Sequence, residues 1–290
     1  LSLVSPVPAL ATGPGRTARR AVTGGPARAC LALAVAGFRR TTSYRLAALA
    51  GIVANLTFGY LRGAVLLAVA GASAVASSGY AASSLMTYNW LTQAAIGPLA
   101  LWGTAELSER VRTGDVAVDL ARPLGLLPTY LAQDLGRAGA AALLRGLPTL
   151  LVGGLTVGIV LPLAPGPWVL GAVSIVLGLV LSFLARFLLQ LTSFWIVETR
   201  GLQTLYMVAS GFFTGLVFPL ALMPSWLQTM ARSTPFPAML QDPVDVLSAR
   251  ATGVAAWELV GTQVLWVLAL TVLARVVLAA GTRRLVVQGG

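Results

Sequence analysis

The segment Glu106-Leu-Ser-Glu-Arg-Val-Arg-Thr-Gly-Asp-Val-Ala-Val-Asp-Leu-Ala-Arg-Pro123 carries four of the nine acidic residues of a 290-residue chain. It lies between two strongly apolar stretches. In a chain that is 57% hydrophobic and only 10% charged, such an island marks a place that water or another protein must reach. Outward from it, apolar runs recur, each approaching the roughly 20 residues needed to cross a ~30 Å hydrocarbon core. Soluble domains do not repeat that pattern. The sequence therefore describes an all-α integral membrane protein, with six spans expected at about 46–70, 84–105, 138–161, 168–195, 203–221 and 256–280.

Charge orients these spans. The net charge of +11 would suggest a nucleic-acid partner in a soluble chain, but here the arginines cluster at the ends of apolar runs. Alternating the six spans puts 106–137, 198–202 and 281–290 on the side of the amino terminus. That side gathers Arg39, Arg40, Arg45, Arg110, Arg112, Arg122, Arg137, Arg200, Arg283 and Arg284, against only Arg232 and Arg250 on the other. By the positive-inside rule both termini are expected to be cytoplasmic. The charge is topology, and no nucleic acid is expected as a partner.

The absences narrow function. All 20 basic residues are arginine, and the chain has no histidine. A Walker-type phosphate loop needs its lysine, so this polypeptide is not expected to hydrolyse ATP by that route. With no histidine and Cys30 as the lone thiol, the usual zinc, haem and Cys/His nucleophilic sites have no residues to build them. The expectation is no catalytic residue, no metal and no cofactor in this chain. An intramembrane enzyme would have to rely on the few membrane-adjacent acids, Glu258 above all. Arginine without lysine, together with only two asparagines, also matches a GC-rich bacterial coding bias.

Two flanking regions stand apart. Residues 1–28 are rich in Pro, Gly, Ala and Arg without periodicity and read as a flexible basic arm, with the membrane domain occupying 29–290. Residues Ala29 to Arg45 read as a helix lying at the cytoplasmic interface, with Phe38, Arg39, Arg40 and Arg45 at its basic end. Between spans five and six, 222–255 is rich in proline. Trp226, Leu227 and Met230 can share one face of a short helix bracketed by Pro224 and Pro235. That is the pattern of a re-entrant or interfacial hairpin, the expected external gate. The alternative is an ordinary loop resting on the bilayer.

Two motifs in this order resemble the permease subunits of type-2 ATP-binding-cassette exporters, in a branch common in actinobacteria. The first is Arg112, Gly114, Asp115, Val116, Asp119, Leu120, Arg122 and Pro123, similar to that family's first cytoplasmic loop. The second is Gly215 to Leu220, with Phe218 and Pro219, followed by Pro224, Trp226, Leu227, Pro235 and Phe236, similar to the end of its fifth span and its external hairpin. The likeness covers roughly residues 38–284. It implies a permease with no nucleotide site, paired with an identical or related permease and docked on two copies of a separate ATPase that holds ATP and Mg. It further implies that the interfacial helix and the first loop transmit ATPase closure, assigning coupling to Glu106, Glu109, Arg110, Arg112, Gly114, Asp115, Asp119, Arg122 and Pro123. Gly114 permits a sharp turn there, and Asp115 can cap the helix that follows.

Four arginines fall in or near spans, where a charge at bilayer centre costs on the order of 3 kcal/mol. Arg145 and Arg275 are expected to reach the interface; Arg62 and Arg186 are either structural or cavity-lining. An arginine-lined cavity would favour anionic or zwitterionic cargo, while Phe212, Phe213 and Thr214 in the fifth span suit a lipophilic one. So few intramembrane acids disfavour a proton relay. The expected function is outward movement of a hydrophobic or amphipathic small molecule across a bacterial plasma membrane. Lipid or glycolipid export, and an ATPase-independent channel or scaffold, are the alternatives.

Overall fold

The computed structural model describes residues 25–70, 79–103, 106–196 and 198–288. Most of the arm at 1–28, part of the first external connection and the end of the second expected span lie outside them. Every regular element is helical, with no strand among the described residues. In chain order these are α1 (Pro26–Thr42), α2 (Arg45–Val69), α3 (Ala82–Leu99), α4 (Glu106–Thr113), α5 (Val116–Leu120) and α6 (Leu126–Ala141). A π-helical turn (Ala142–Gly146) leads into α7 (Leu147–Thr156), followed by α8 (Pro165–Leu191) and α9 (Arg200–Phe213). The hairpin after α9 holds α10 (Ser225–Arg232), α11 (Phe236–Met239) and α12 (Gln241–Leu247), and α13 (Gly253–Gln288) follows.

Four helical units are long and apolar enough to cross a membrane: Leu46–Val69, Leu126–Thr156, Pro165–Phe194 and Gly253–Arg284. Their outward faces carry exposed Leu46, Phe58, Leu155, Val173 and Leu265. Such surfaces suit lipid, where a helix satisfies its own backbone. The expected second and fifth spans correspond to α3 and α9, which are shorter than the runs at 84–105 and 203–221. Helix α3 stops at Leu99, where Pro98 occupies the last turn and Ala100 takes a left-handed conformation at φ 46°. Helix α9 stops at Phe213, and Gly215 at φ +78° turns the chain. The expected span at 138–161 is the distal part of a unit that starts at Leu126. A π turn interrupts it just before Pro148, with Leu147 N–H bonding Ala142 O. Proline supplies no amide hydrogen to the ladder, and a local change of register absorbs the loss.

Helix α3 is the buried centre of the bundle, with Thr87, Asn89, Thr92 and Gln93 enclosed by its neighbours. Their partners come mainly from α2 and α3. Arg62 donates to Asn89 Oδ1 (2.6 Å) and Asn89 O (2.7 Å) and also reaches Thr92 Oγ1 and Leu216 O. Asn89 donates to Gly59 O (2.9 Å) and Gln93 to Asn55 O (2.8 Å). Between apolar helices in lipid there is little hydrophobic drive to associate, so such polar staples and close packing hold the bundle. On the far side, Gln263 of α13 donates to Ser174 O (3.1 Å) and Ala238 O (2.8 Å), fixing α8 and α11 to the last helix.

Helix α1 packs along α6 rather than projecting alone. Glycines make this possible: a Cβ on Gly136 would lie 1.8 Å from Ala34 O, and one on Gly37 would lie 2.2 Å from Gln133 O. The two backbones touch. Gly136→Val therefore separates α1 from α6, at a cost exceeding the ~1–3 kcal/mol typical of overpacking. Trypsin cleavage at Arg39 and Arg40 is expected to accelerate in that variant and to stay unchanged in Gly201→Val, whose site is open.

Candidate functional site

The acidic island folds as two short helices against the start of α6 and the end of α8. In α4 the buried residues are Leu107, Ser108 and Val111, on the face turned toward the bundle. Leu107 N–H donates to Gln190 Oε1 (2.9 Å) and Ser108 Oγ to Gln190 O (3.3 Å), so an α8 side chain takes up one of the amides that a helix start leaves unpaired. On the open face, Arg112 donates to Glu109 at 2.6 Å, and this hydrogen bond holds the Glu109 carboxyl below its usual range. Gly114 turns the chain at φ +83°.

Asp115 does not act as expected. It occupies the cap position of α5, yet its carboxylate makes no cap bond and instead accepts the Thr113 hydroxyl at 3.0 Å. Its αR backbone (φ −61°, ψ −18°) departs from the extended geometry that lets a capping side chain reach back.

Asp119 is the hub. Only 5% exposed, it accepts Arg110 Nε at 2.5 Å and the Tyr130 hydroxyl at 3.2 Å, and it pairs with Arg122 at 3.5 Å. Arg110 also donates to Asp115 O (3.3 Å). Arg122 and Pro123 lie in the turn that Gly125 closes before α6. Glu106 joins the island to α1 through Arg40 at 3.2 Å. The structure thus brings together Glu106, Arg110, Asp115, Asp119, Arg122 and Arg40, while Glu109 and Arg112 form a separate exposed pair. Arg39 points outward, Phe38 packs toward Gly139, and Arg45 begins α2.

A second carboxylate, Asp134, escaped the sequence reading. It accepts Arg137 Nε (2.7 Å) and Arg186 Nη2 (2.8 Å). Arg137 also donates to Gly97 O (3.1 Å) and Pro98 O (2.8 Å), and Ser182 donates to Leu99 O (2.7 Å). The orphan carbonyls at the end of α3 are satisfied in this way. The i,i+3 spacing of Asp134 and Arg137 was a readable signal; the link to Arg186, 52 residues on, was not. Between α1, α4, α6 and α8 these groups enclose a cavity of about 640 Å³, lined by both carboxylates together with Arg186. The other residues expected to line a cavity lie elsewhere. Arg62 is bonded within the bundle, Thr214 is buried with its hydroxyl on Ser210 O (2.6 Å), Phe213 stacks toward Phe236, and Phe212 is exposed beside Phe218.

At the opposite end the hairpin folds back onto α3 and α8. Gly215 fits only because it lacks a Cβ, which would lie 2.4 Å from both Tyr88 Oη and Gln241 Oε1. Tyr88 donates to Gly215 O (2.6 Å) beside Gln241 Oε1, Leu220 N–H donates to Gln241 Oε1 (3.2 Å), and Gln241 donates to Asp245 (2.7 Å). Phe218 and Pro219 lead into a short turn of 3-10 helix, Pro224 precedes α10, and Pro235 precedes α11, which Phe236 begins. The shared face expected of α10 is split: Trp226 and Met230 are exposed, while Leu227 packs on Leu220, Met223 and Ala231. Residues i and i+4 share a helix face, and their i+1 neighbour turns about 100° away.

A family model described as ABC-2 family transporter protein matches residues 65–289. The chain belongs to that family. No curated protein and no solved structure matches it. Membership makes this chain a multi-pass permease, the membrane component of a transporter whose family works with an ABC ATPase. The match starts within α2 and takes in the island, Asp134 and the hairpin; α1 lies before it.

One hairpin group of this permease is left without a partner. Asp242 is 4% exposed and makes no hydrogen bond or ion pair among the described residues. Burial, then the neighbouring Asp245, push its carboxyl up to about 7, against the pull of Arg232. A carboxyl raised in the packed hairpin favours that packing at low pH, and the advantage is lost as pH rises from the ordinary carboxylate range through about 7. Over that window, hairpin opening relative to Asp242→Asn is expected to grow by up to about tenfold per pH unit. Hydrogen exchange of both proteins at matched pH measures it.

Proposed function

We propose that this chain is the six-span permease subunit of an ATP-driven exporter in a bacterial plasma membrane, with both termini cytoplasmic. In this reading α3 and α9 complete the set of spans begun by the four long helices, and the hairpin of α10 to α12 forms the external gate. A separate ATPase, in two copies, supplies ATP and Mg, and a second permease, identical or related, completes the pathway. The cargo is a hydrophobic or amphipathic small molecule.

The observation that carries this reading is the Asp119 cluster. Its buried carboxylate gathers Arg110, Arg122 and Tyr130, so the exposed tip of α4 and α5 cannot shift without moving α6. The Arg40 to Glu106 pair ties the same tip to α1. A push on this surface therefore reaches two membrane-entering elements through short charged contacts rather than through a slack loop. A solvated loop that merely keeps charge out of lipid has no need to bury Asp119 beneath two guanidiniums.

The test is purification of the chain from its native membrane in nanodiscs, with identification of what accompanies it and an assay of ATP turnover. An ATP-binding-cassette ATPase is expected to co-purify; a chain that purifies alone without ATP turnover would sink the exporter in favour of a channel or scaffold. Within the complex, Asp119→Asn is expected to lower transport-linked ATP turnover roughly fivefold or more, the scale of a 1–3 kcal/mol coupling free energy. Assembly should persist.

A further inference from the structure

The 640 Å³ cavity holds more positive charge than this chain can balance. Arg40, Arg110, Arg122, Arg137, Arg145 and Arg186 line it, against the carboxylates Glu106, Asp119 and Asp134. Each acid is committed: Glu106 to Arg40, Asp119 to Arg110 and Arg122, Asp134 to Arg137 and Arg186. No other acid can make up the difference. Glu109 and Glu198 pair with Arg112 and Arg200, and Asp115 takes the Thr113 hydroxyl. Asp242 and Asp245 belong to the hairpin, and Glu258 lies early in α13, on that same side. Three of the six guanidinium charges in the cavity are left without a counter-ion.

Two of its arginines have hydrogen-bonding capacity to spare. Arg145 has no carboxylate partner among the described residues and donates only to Ala47 O (3.2 Å), at the start of α2. Arg186 is 8% exposed and its Nε has no hydrogen-bond partner. Guanidinium groups present paired donors that match phosphate oxygens, and their charge cannot be titrated away. The cavity wall is also partly apolar, with Phe183, Phe187 and Leu144 beside the arginines. Arg145 sits level with the inner end of the first span, where headgroups of the cytoplasmic leaflet lie.

From this charge balance and placement we propose that the cavity is a binding site for a phosphate monoester headgroup, presented by an anionic lipid of the inner leaflet. The site rests on the topology proposed above. A phosphate dianion offsets most of the residual charge, and its acyl chains leave along the apolar wall into the bilayer, as in basic pockets between membrane helices that hold anionic headgroups.

Native mass spectrometry of the purified permease, alone and with its co-purified ATPase, tests this with three probes: dioleoyl phosphatidic acid, dioleoylglycerol and inorganic phosphate. One saturable phosphatidic acid per chain is expected, with no comparable dioleoylglycerol binding. Arg145→Gln, which breaks no ion pair, is expected to weaken binding about tenfold, while Arg283→Gln at the exposed inner end of α13 leaves it unchanged. Equal binding of the uncharged lipid, or equal losses in the two variants, would overturn the site. Inorganic phosphate binding as tightly as the lipid would overturn the membrane source, and loss of the lipid when the ATPase is present would assign the cavity to that partner. Failure of any ATPase to co-purify would remove the exporter reading while leaving the lipid measurement intact.

Discussion

Arg186 lies among packed helices of a membrane protein and is only 8% exposed. An unpaired guanidinium there would cost several kcal/mol. Asp134 resolves this constraint, and much of the packing at the acidic-island end of the bundle follows from it. One carboxylate neutralises Arg186 of α8 and holds Arg137 of its own helix. Arg137 in turn reaches the terminal carbonyls of α3. Three membrane-entering helices are thereby fixed at one point. A single substitution at Asp134 would leave the buried guanidinium of Arg186 without its counter-ion and release the half-buried Arg137 from the contact that steadies it beside the end of the central helix.

The same device recurs within the acidic island. Asp119 collects two arginines and a tyrosine, and Glu106 collects a third arginine from α1. Charge in this protein is scarce, and Glu106, Asp119 and Asp134 each use theirs to join separate elements, whereas Glu109 and Glu198 pair locally. That economy gives this end of the bundle stiffness at the place where a partner would press on it. At the opposite end, polar contacts of another kind serve the hairpin: Tyr88, Gln241 and the glycine backbone at 215 interlock. These side chains add to the few backbone bonds of the turn after α9, such as Gly215 N–H to Phe212 O (3.1 Å) and Val217 N–H to Gly211 O (3.3 Å).

Much of the fold was legible in one dimension. Apolar run length reported the long spans, and proline spacing marked the hairpin. The helix expected at Ala29 to Arg45 appears as α1, Pro26–Thr42, because alternating apolar and basic residues write their own amphipathic pattern. Helix ends were read less well. The end of α3 depends on Ala100 in a left-handed turn, which has no compositional signature, and Pro148 marks a break in its helix without saying that a π turn would absorb it. Asp115 illustrates the limit for single residues, since a capping residue type in a capping position still needs an extended backbone to cap.

The sequence by itself determined that this chain is helical and membrane-embedded, that it lacks the lysine of a Walker-type phosphate loop, and that its acidic segment lies between spans. Those properties follow from hydropathy and residue chemistry, which are local. Tertiary structure alone decided which arginines are paired, that Asp134 rather than any residue of the island anchors Arg186, and that the surplus positive charge converges on one cavity. Such pairings join residues up to 66 positions apart, and nothing in the residues at either end names the other. Only the packing of α1, α4, α6 and α8 brings their side chains within hydrogen-bonding reach.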